Sequence, residues 1–230
     1  MTIRENLQHL EERIQDACIR SGRSRHEIML MGVSKFQSRE KMVEAYEAGI
    51  RLFGESRVQE AQEKLSGHKH LLPLAEFHFI GPLQRNKVKP ALGLFSCIQS
   101  VDRNELLMEL EKRAGTLNTT VQVLLELHTG EETKTGYPNM EQLLKAVEVS
   151  LTLPHIHLQG LMTMAPFTTD EMTIRKSFRA LFTARNELEK RYPELQLPIL
   201  SMGMSNDFEL AIEEGSTLLR IGSALFGEKP

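Results

Sequence analysis

The chain has only two cysteines, Cys18 and Cys97, among its 230 residues. They stand far apart and outside any metal-ligand or redox spacing, so neither a disulfide framework nor a zinc site has support. No apolar run approaches the roughly 20 residues that span a bilayer, the longest stretches, such as Ile28 to Val33, being far shorter. Met1 to Leu10 has no signal-peptide hydrophobic region, which leads us to expect a cytoplasmic protein with no membrane partner. Charge of one sign is lacking too: 28 Lys plus Arg stand against 31 Asp plus Glu, for a net charge of -3, with no long run of either. A general basic surface for nucleic acid is thereby excluded, and small molecules become the expected partners. There is no repeat and no low-complexity tract, so one domain over residues 1–230 is expected. The 40% hydrophobic and 26% charged content is that of a globular chain, which excludes disorder and collagen-like structure.

What is present is a regular alternation. Ile3, Leu7, Leu10, Ile14 and Ala17 follow at steps of four and three, lining one face of an N-terminal helix over 3–20 that Ser21-Gly22 ends. Ile28 to Ser34 then reads as a nearly continuous apolar run, the mark of a strand covered on both faces. Helical patterns over 39–49, 56–66, 84–92, about 102–114, from Asn139, 171–191 and 207–213 alternate with strands at Leu52 to Gly54, Phe77 to Gly81, Phe95 to Gln99, Val121 to Leu127, Ile156 to Met162, Ile199 to Met202 and Leu218 to Ile221. Asp102 with Glu105 predicts a capping box at one helix start, and Asn139 with Gln142 opens another. Eight strands alternating with helices demand a parallel sheet, and a closed (β/α)8 barrel is the economical form of an α/β chain of this length. An open doubly wound sheet is the rival. The first strand-to-helix turn, Ser34-Lys35-Phe36, lacks the G-x-G-x-x-G expected of a dinucleotide-binding open sheet, which favours the barrel.

In such a barrel, function concentrates at the C-terminal ends of the strands. Strand one delivers Lys35 there, either as an exposed end-of-strand charge or as a partly desolvated amine able to form a Schiff base. Strands seven and eight deliver Ser201-Met202-Gly203-Met204-Ser205 and Arg220-Ile221-Gly222-Ser223. Small residues at these positions let backbone N–H groups approach an anion, with hydroxyls and a following helix N-terminus adding donors. A lysine and a phosphate cup on one rim together point to a phosphorylated carbonyl ligand. His78 points opposite to Phe77 and Phe79, either hydrogen-bonded inside the barrel or in contact with ligand. Met162 is read as core packing that could line the ligand. His155 and His157 share a strand face, but the sequence nominates no third metal ligand, so a structural role is expected.

The motifs Val33-Ser34-Lys35, Phe53-Gly54-Glu55 with Val58-Gln59-Glu60, His78-Phe79-Ile80-Gly81 with Leu83-Gln84 and Asn86-Lys87, Gly130-Glu131-Glu132 with Lys134 and Gly136, and Gly160-Leu161-Met162 occur in this order. Ser201 to Ser205 with Asp207, then Arg220 to Ser223 with Phe226-Gly227, complete the series. From about residue 28 onward the chain resembles the pyridoxal phosphate homeostasis proteins, the PROSC/YggS type. The resemblance implies a single-domain TIM barrel of the alanine racemase N-terminal type, here with an extra N-terminal helix. It further implies that pyridoxal 5'-phosphate (PLP) is held as a Schiff base on Lys35, with a role in vitamin B6 balance and no established enzymatic activity. Ser201, Ser205, Gly222 and Ser223 would contact the phosphate, and Arg220 would face the pyridine nitrogen. Ser56 stands where family members usually have Asn, and His128 where an Asn is common, both at the rim beside the ring's polar groups.

Arginine keeps its proton at neutral pH, so Arg220 would leave the ring nitrogen neutral and weaken carbanion chemistry. Racemases of similar fold add a second, β-rich domain whose tyrosine opposes the lysine. This chain ends seven residues beyond Ser223, and its tyrosines are Tyr46, Tyr137 and Tyr192. A monomeric PLP carrier serving PLP-dependent apoenzymes is therefore expected ahead of an enzyme. A small amino-acid racemase and a Schiff-base aldolase on sugar phosphates are the alternatives.

Overall fold

The computed structural model describes residues 1–66, 69–130 and 135–227. Eight parallel strands close on themselves: β1 (Met29–Val33), β2 (Leu52–Glu55), β3 (Glu76–Phe79), β4 (Cys97–Val101), β5 (Val121–Glu126), β6 (Ile156–Met162), β7 (Ile199–Ser201) and β8 (Leu218–Ile221). Closure decides between barrel and open sheet. It is made where β8 returns to β1, pairing Met31 with Arg220 and Gly32 with Ile221. The surrounding helices are α1 (Ile3–Ser21), α2 (Arg39–Ala48), α3 (Val58–Leu65), α4 (Val88–Leu92), α5 (Asn104–Thr116), α6 (Met140–Ser150), α7 (Glu171–Arg191), α8 (Phe208–Glu213) and α9 (Ser223–Phe226).

Alternation along each strand produces two cores. Phe53, Phe77, Phe79, Ile98, Val123, Leu125, Leu161, Leu200 and Leu219 belong to the layer shared with the helices. Met31, Val33, Cys97, Leu124, Met162, Ile199 and Leu218 fill the barrel interior. Because both faces are buried, the strands read as continuous apolar runs. The predicted N-terminal helix is α1, capped by a reciprocal Thr2–Glu5 box and ended by Gly22 in the left-handed region at φ 66°. Its buried stripe of Ile3, Leu10, Ile14 and Ala17 packs on α2, α8 and α9. Among the described residues no helix is long and apolar enough to cross a membrane.

Two local readings need correction. β4 starts at Cys97 rather than Phe95; the N–H of Phe95 closes the turn onto the Ala91 carbonyl, and its ring packs on Phe79 with centroids 5.2 Å apart. The Asp102–Glu105 capping box does not form. The N-cap is Arg103, without a side-chain cap, and the Asp102 carboxylate accepts from the Arg103 guanidinium instead. The Asn139 cap forms as read, its side chain accepting from Gln142 N–H at 3.0 Å. Glu131, Glu132 and Lys134 of the fifth-strand motif lie outside the described residues.

Candidate functional site at the barrel mouth

The upper part of the barrel interior is polar. His78 of β3, Gln99 of β4, Glu126 of β5, Ser201 of β7 and Arg220 of β8 are all buried, and four of them form one hydrogen-bonded row. Arg220 Nη1 donates to Ser201 Oγ at 2.8 Å, and Nη2 donates to the Thr163 carbonyl at 2.8 Å. Ser201 Oγ donates to Gln99 Oε1 at 2.7 Å, and Gln99 Nε2 stands 2.8 Å from His78 Nδ1.

Donor and acceptor chemistry fixes the direction of this row. A guanidinium can only donate, so Ser201 accepts from it and passes its own proton on to Gln99. The Gln99 amide then presents N–H to His78, whose Nδ1 must accept and whose proton sits on Nε2. Burial lowers the His78 pKa to about 4, so the ring is neutral at physiological pH, as the row requires. Burial also lowers Arg220, to about 10, against the attraction of Asp207 and Glu126. It stays cationic at neutral pH. Among the described residues no carboxylate lies within ion-pair distance of it, and both of its hydrogen bonds to protein are to neutral oxygens. Burial likewise raises the Glu126 carboxyl, which accepts from Thr135 Oγ1 at 3.0 Å.

Lys35 is half-buried in the turn after β1, closed by the Gln37 N–H donating to the Ser34 carbonyl at 2.9 Å. The phosphate-cup candidates sit on the neighbouring strands. Gly203 has φ 95°, and a Cβ there would lie 2.6 Å from Ala211 Cβ, so this turn requires glycine. Its carbonyl accepts from Arg220 N–H at 3.0 Å, and Met204 N–H caps onto Asp207 Oδ1 at 2.6 Å. Ser205 Oγ accepts from Ala224 N–H at 3.2 Å, tying the β7 loop to the first turn of α9. Gly222 is the N-cap of α9, and a Cβ added to it would meet nothing nearer than Val33 at 3.8 Å. Ser223, exposed, begins the helix. Lys35, Ser205, Gly222 and Ser223 therefore gather where β7, β8 and β1 lie side by side.

Four predicted positions need separate placement. The structure gives Ser201 a different task from the phosphate contact expected of it: its hydroxyl is fully buried and committed between Gln99 and Arg220. Met162 packs in the barrel interior. Ser56 is half-buried after β2, with its backbone so close to Gly81 that a Cβ there would fall 2.3 Å from the Ser56 carbonyl oxygen. His128 is half-buried beyond β5, its N–H on the Tyr137 carbonyl at 2.9 Å. Away from the mouth, His155 precedes β6 and its Nδ1 lies 2.7 Å from Glu111. A cleft of about 700 Å³ between α7 and the start of α6 is lined by His128 but by no other predicted site residue. Sequence reasoning missed Gln99 and Thr163. A glutamine ending an otherwise apolar, doubly buried strand was the available signal.

The sequence profile of the alanine racemase N-terminal domain matches residues 3–230, and the structure agrees in fold: an alanine racemase of Clostridium difficile superimposes with a TM-score of 0.77 at 16% identity, over 100% of this chain and 56% of that one. The barrel is thus of the alanine racemase N-terminal class. Nearer relatives narrow this. The pyridoxal phosphate homeostasis protein of Aquifex aeolicus is 44% identical over 98% of this chain and 97% of its own, and that of Escherichia coli K12 is 33% identical over 99% and 97%. PipY of Synechococcus elongatus, solved with PLP bound, has a TM-score of 0.86 at 34% identity, covering 98% of this chain and 100% of that one. The chain belongs to the pyridoxal phosphate homeostasis protein family.

Proposed function

We propose that the protein binds PLP at the barrel mouth and serves intracellular PLP homeostasis, with Lys35 as the amine that takes the aldehyde as a Schiff base. The observation that carries the reading is the Arg220 guanidinium, buried at the mouth on the strand paired with the one that leads to Lys35. A buried donor of this kind suits a neutral acceptor such as a pyridine nitrogen. The rest of the donor set fits the same molecule. Lys35 offers an amine to an aldehyde, while Ser205, Ser223 and the backbone N–H groups at the start of α9 suit a phosphate. The cradle at Gly222 has room for an anion where a side chain would otherwise stand. The relative PipY, with PLP bound, supports the assignment.

When bound, PLP supplies an aldehyde and an electron-withdrawing ring. Arg220 would donate to the ring nitrogen without releasing its proton and so would leave that nitrogen unprotonated. The tyrosine hydroxyls whose partners are defined face other groups: Tyr137 bonds Asn104 at 3.0 Å and Tyr192 bonds Glu148 at 2.8 Å. Both features support a carrier that buffers PLP or delivers it to apoenzymes, rather than a racemase, and we propose that it works as a cytoplasmic monomer. Visible absorption of the purified protein, with titration of the stripped form by PLP, tests the binding. A coupled amino-acid racemase assay tests the carrier role, and turnover lost in Lys35→Ala would overturn it.

A further inference from the structure

The Gly54-Glu55 and Glu60 motif has no part in the mouth described so far, yet it reaches both residues that flank Lys35. Ser34, fully buried, donates its hydroxyl to Glu55 Oε1 at 2.7 Å. Lys64 of α3 donates to the Ser34 carbonyl at 2.8 Å, to Glu55 Oε1 at 3.0 Å and to Glu60 Oε1 at 2.6 Å. Three acceptors match the three donors of an ammonium. On the other side of Lys35, the Phe36 N–H donates to Glu60 Oε1. Phe36 has φ 65°, a left-handed backbone that a bulky residue adopts only when its surroundings enforce it. Burial would raise the Glu60 carboxyl, but Lys64 and the Phe36 N–H hold it below its ordinary value. It is therefore anionic and accepts strongly.

We infer that Lys64, together with Glu55 and Glu60, forms a positioning clamp that fixes the backbone on both sides of Lys35 and so sets where its amine emerges at the mouth. The inference rests on Lys35 being the PLP-bearing residue. The clamp's bonds go to the residues on either side of Lys35. It acts by holding Phe36 in its left-handed conformation and Ser34 against β2, so that the backbone from which Lys35 projects is fixed on both sides. Glu55, from β2, and Glu60 and Lys64, from α3, thus contribute to a function displayed on β1.

Two measurements test it, and the first needs no PLP. Amide hydrogen exchange of Phe36 is compared in wild type, Lys64→Met, Glu60→Ala and Lys64→Arg. In Glu60→Ala and Lys64→Met the Phe36 amide should exchange at least about tenfold faster, the size of effect expected for losing one charge-assisted bond, while amides within β1 and β2 keep their protection. The second is borohydride trapping of PLP at Lys35, measured beside total bound PLP. The same two variants should retain bound PLP while the trapping rate falls roughly tenfold, and Lys64→Arg should recover most of it. Should Lys64→Met fail to fold, Glu60→Gln keeps shape and an acceptor and should give intermediate values of both readouts. Unchanged Phe36 exchange, or a fall in protection spread over the whole barrel, would overturn the clamp. Lys35→Ala with an undiminished visible band would instead overturn the PLP assignment, leaving the exchange result to stand by itself.

Discussion

Ser201 Oγ lies 2.8 Å from Arg220 Nη1, and the serine is fully buried. The hydroxyl therefore serves the arginine, while Ser205, half-buried four residues on, is the serine of this loop that we propose for the anion. Ser205 Oγ already accepts from Ala224 N–H, so its own proton is available to donate.

The two serines should separate in mutants. Ser201→Ala removes one of the buried hydrogen-bond partners of Gln99 and one of Arg220, a loss of about 1–3 kcal/mol that lowers Tm by roughly 3–10 °C in a chain of this size. Ser205→Ala should leave Tm nearly unchanged and weaken PLP binding by about 10- to 100-fold. Thermal unfolding and titration of the stripped protein measure both. An affinity loss at Ser201 with no change in Tm would reverse the assignment.

The neutral His78 predicts a pH signature. Its unfolded pKa is the ordinary 6.5 and its folded value about 4, so between these the unfolded chain binds more protons and stability falls as pH drops. The loss approaches about 1.4 kcal/mol per pH unit and totals on the order of 3 kcal/mol by pH 4. Burial raises Glu55 and Glu126, which opposes this trend in both proteins and cancels in a difference. His78→Asn keeps an acceptor toward Gln99 without titrating, so its stability should decline less steeply over the same window. Parallel denaturation curves for the two proteins from pH 6.5 to 4 would contradict a neutral, Nδ1-accepting His78.

Gly222 gives a test free of folding effects. A Cβ there meets only Val33, at 3.8 Å, and φ is an ordinary -107°. Gly222→Ala should therefore unfold like wild type yet bind PLP at least tenfold more weakly, and Gly222→Val more weakly still, because the side chain enters the space an anion would fill. Pyridoxal lacking its phosphate should bind wild type poorly and be insensitive to either change. Equal affinities of wild type for pyridoxal and PLP would place the cup elsewhere.

Much of this was legible in the sequence, for physical reasons that differ by residue. Doubly buried strands write themselves as apolar runs, so six of the eight lay within about a residue of their places; β3 ends at Phe79, two residues short of the reading, and β4 slipped by two, its start because Phe95 extends the apolar pattern into the preceding turn. Lys35, Ser205 and Gly222 could be nominated because barrel chemistry gathers at strand ends. The role of Ser201 could not, since a serine at a strand end looks the same whether it faces ligand or a buried arginine. That distinction rests on Gln99, which lies 102 positions away in sequence. Lys64 was equally hidden: on α3 it reads as one more helix cation.

The central claim is that Lys35 receives PLP, and borohydride reduction of the PLP-loaded protein followed by peptide mapping tests it most directly. One stable pyridoxyl adduct is expected, on Lys35, and none in Lys35→Ala. Modification of another lysine with Lys35 untouched would contradict it.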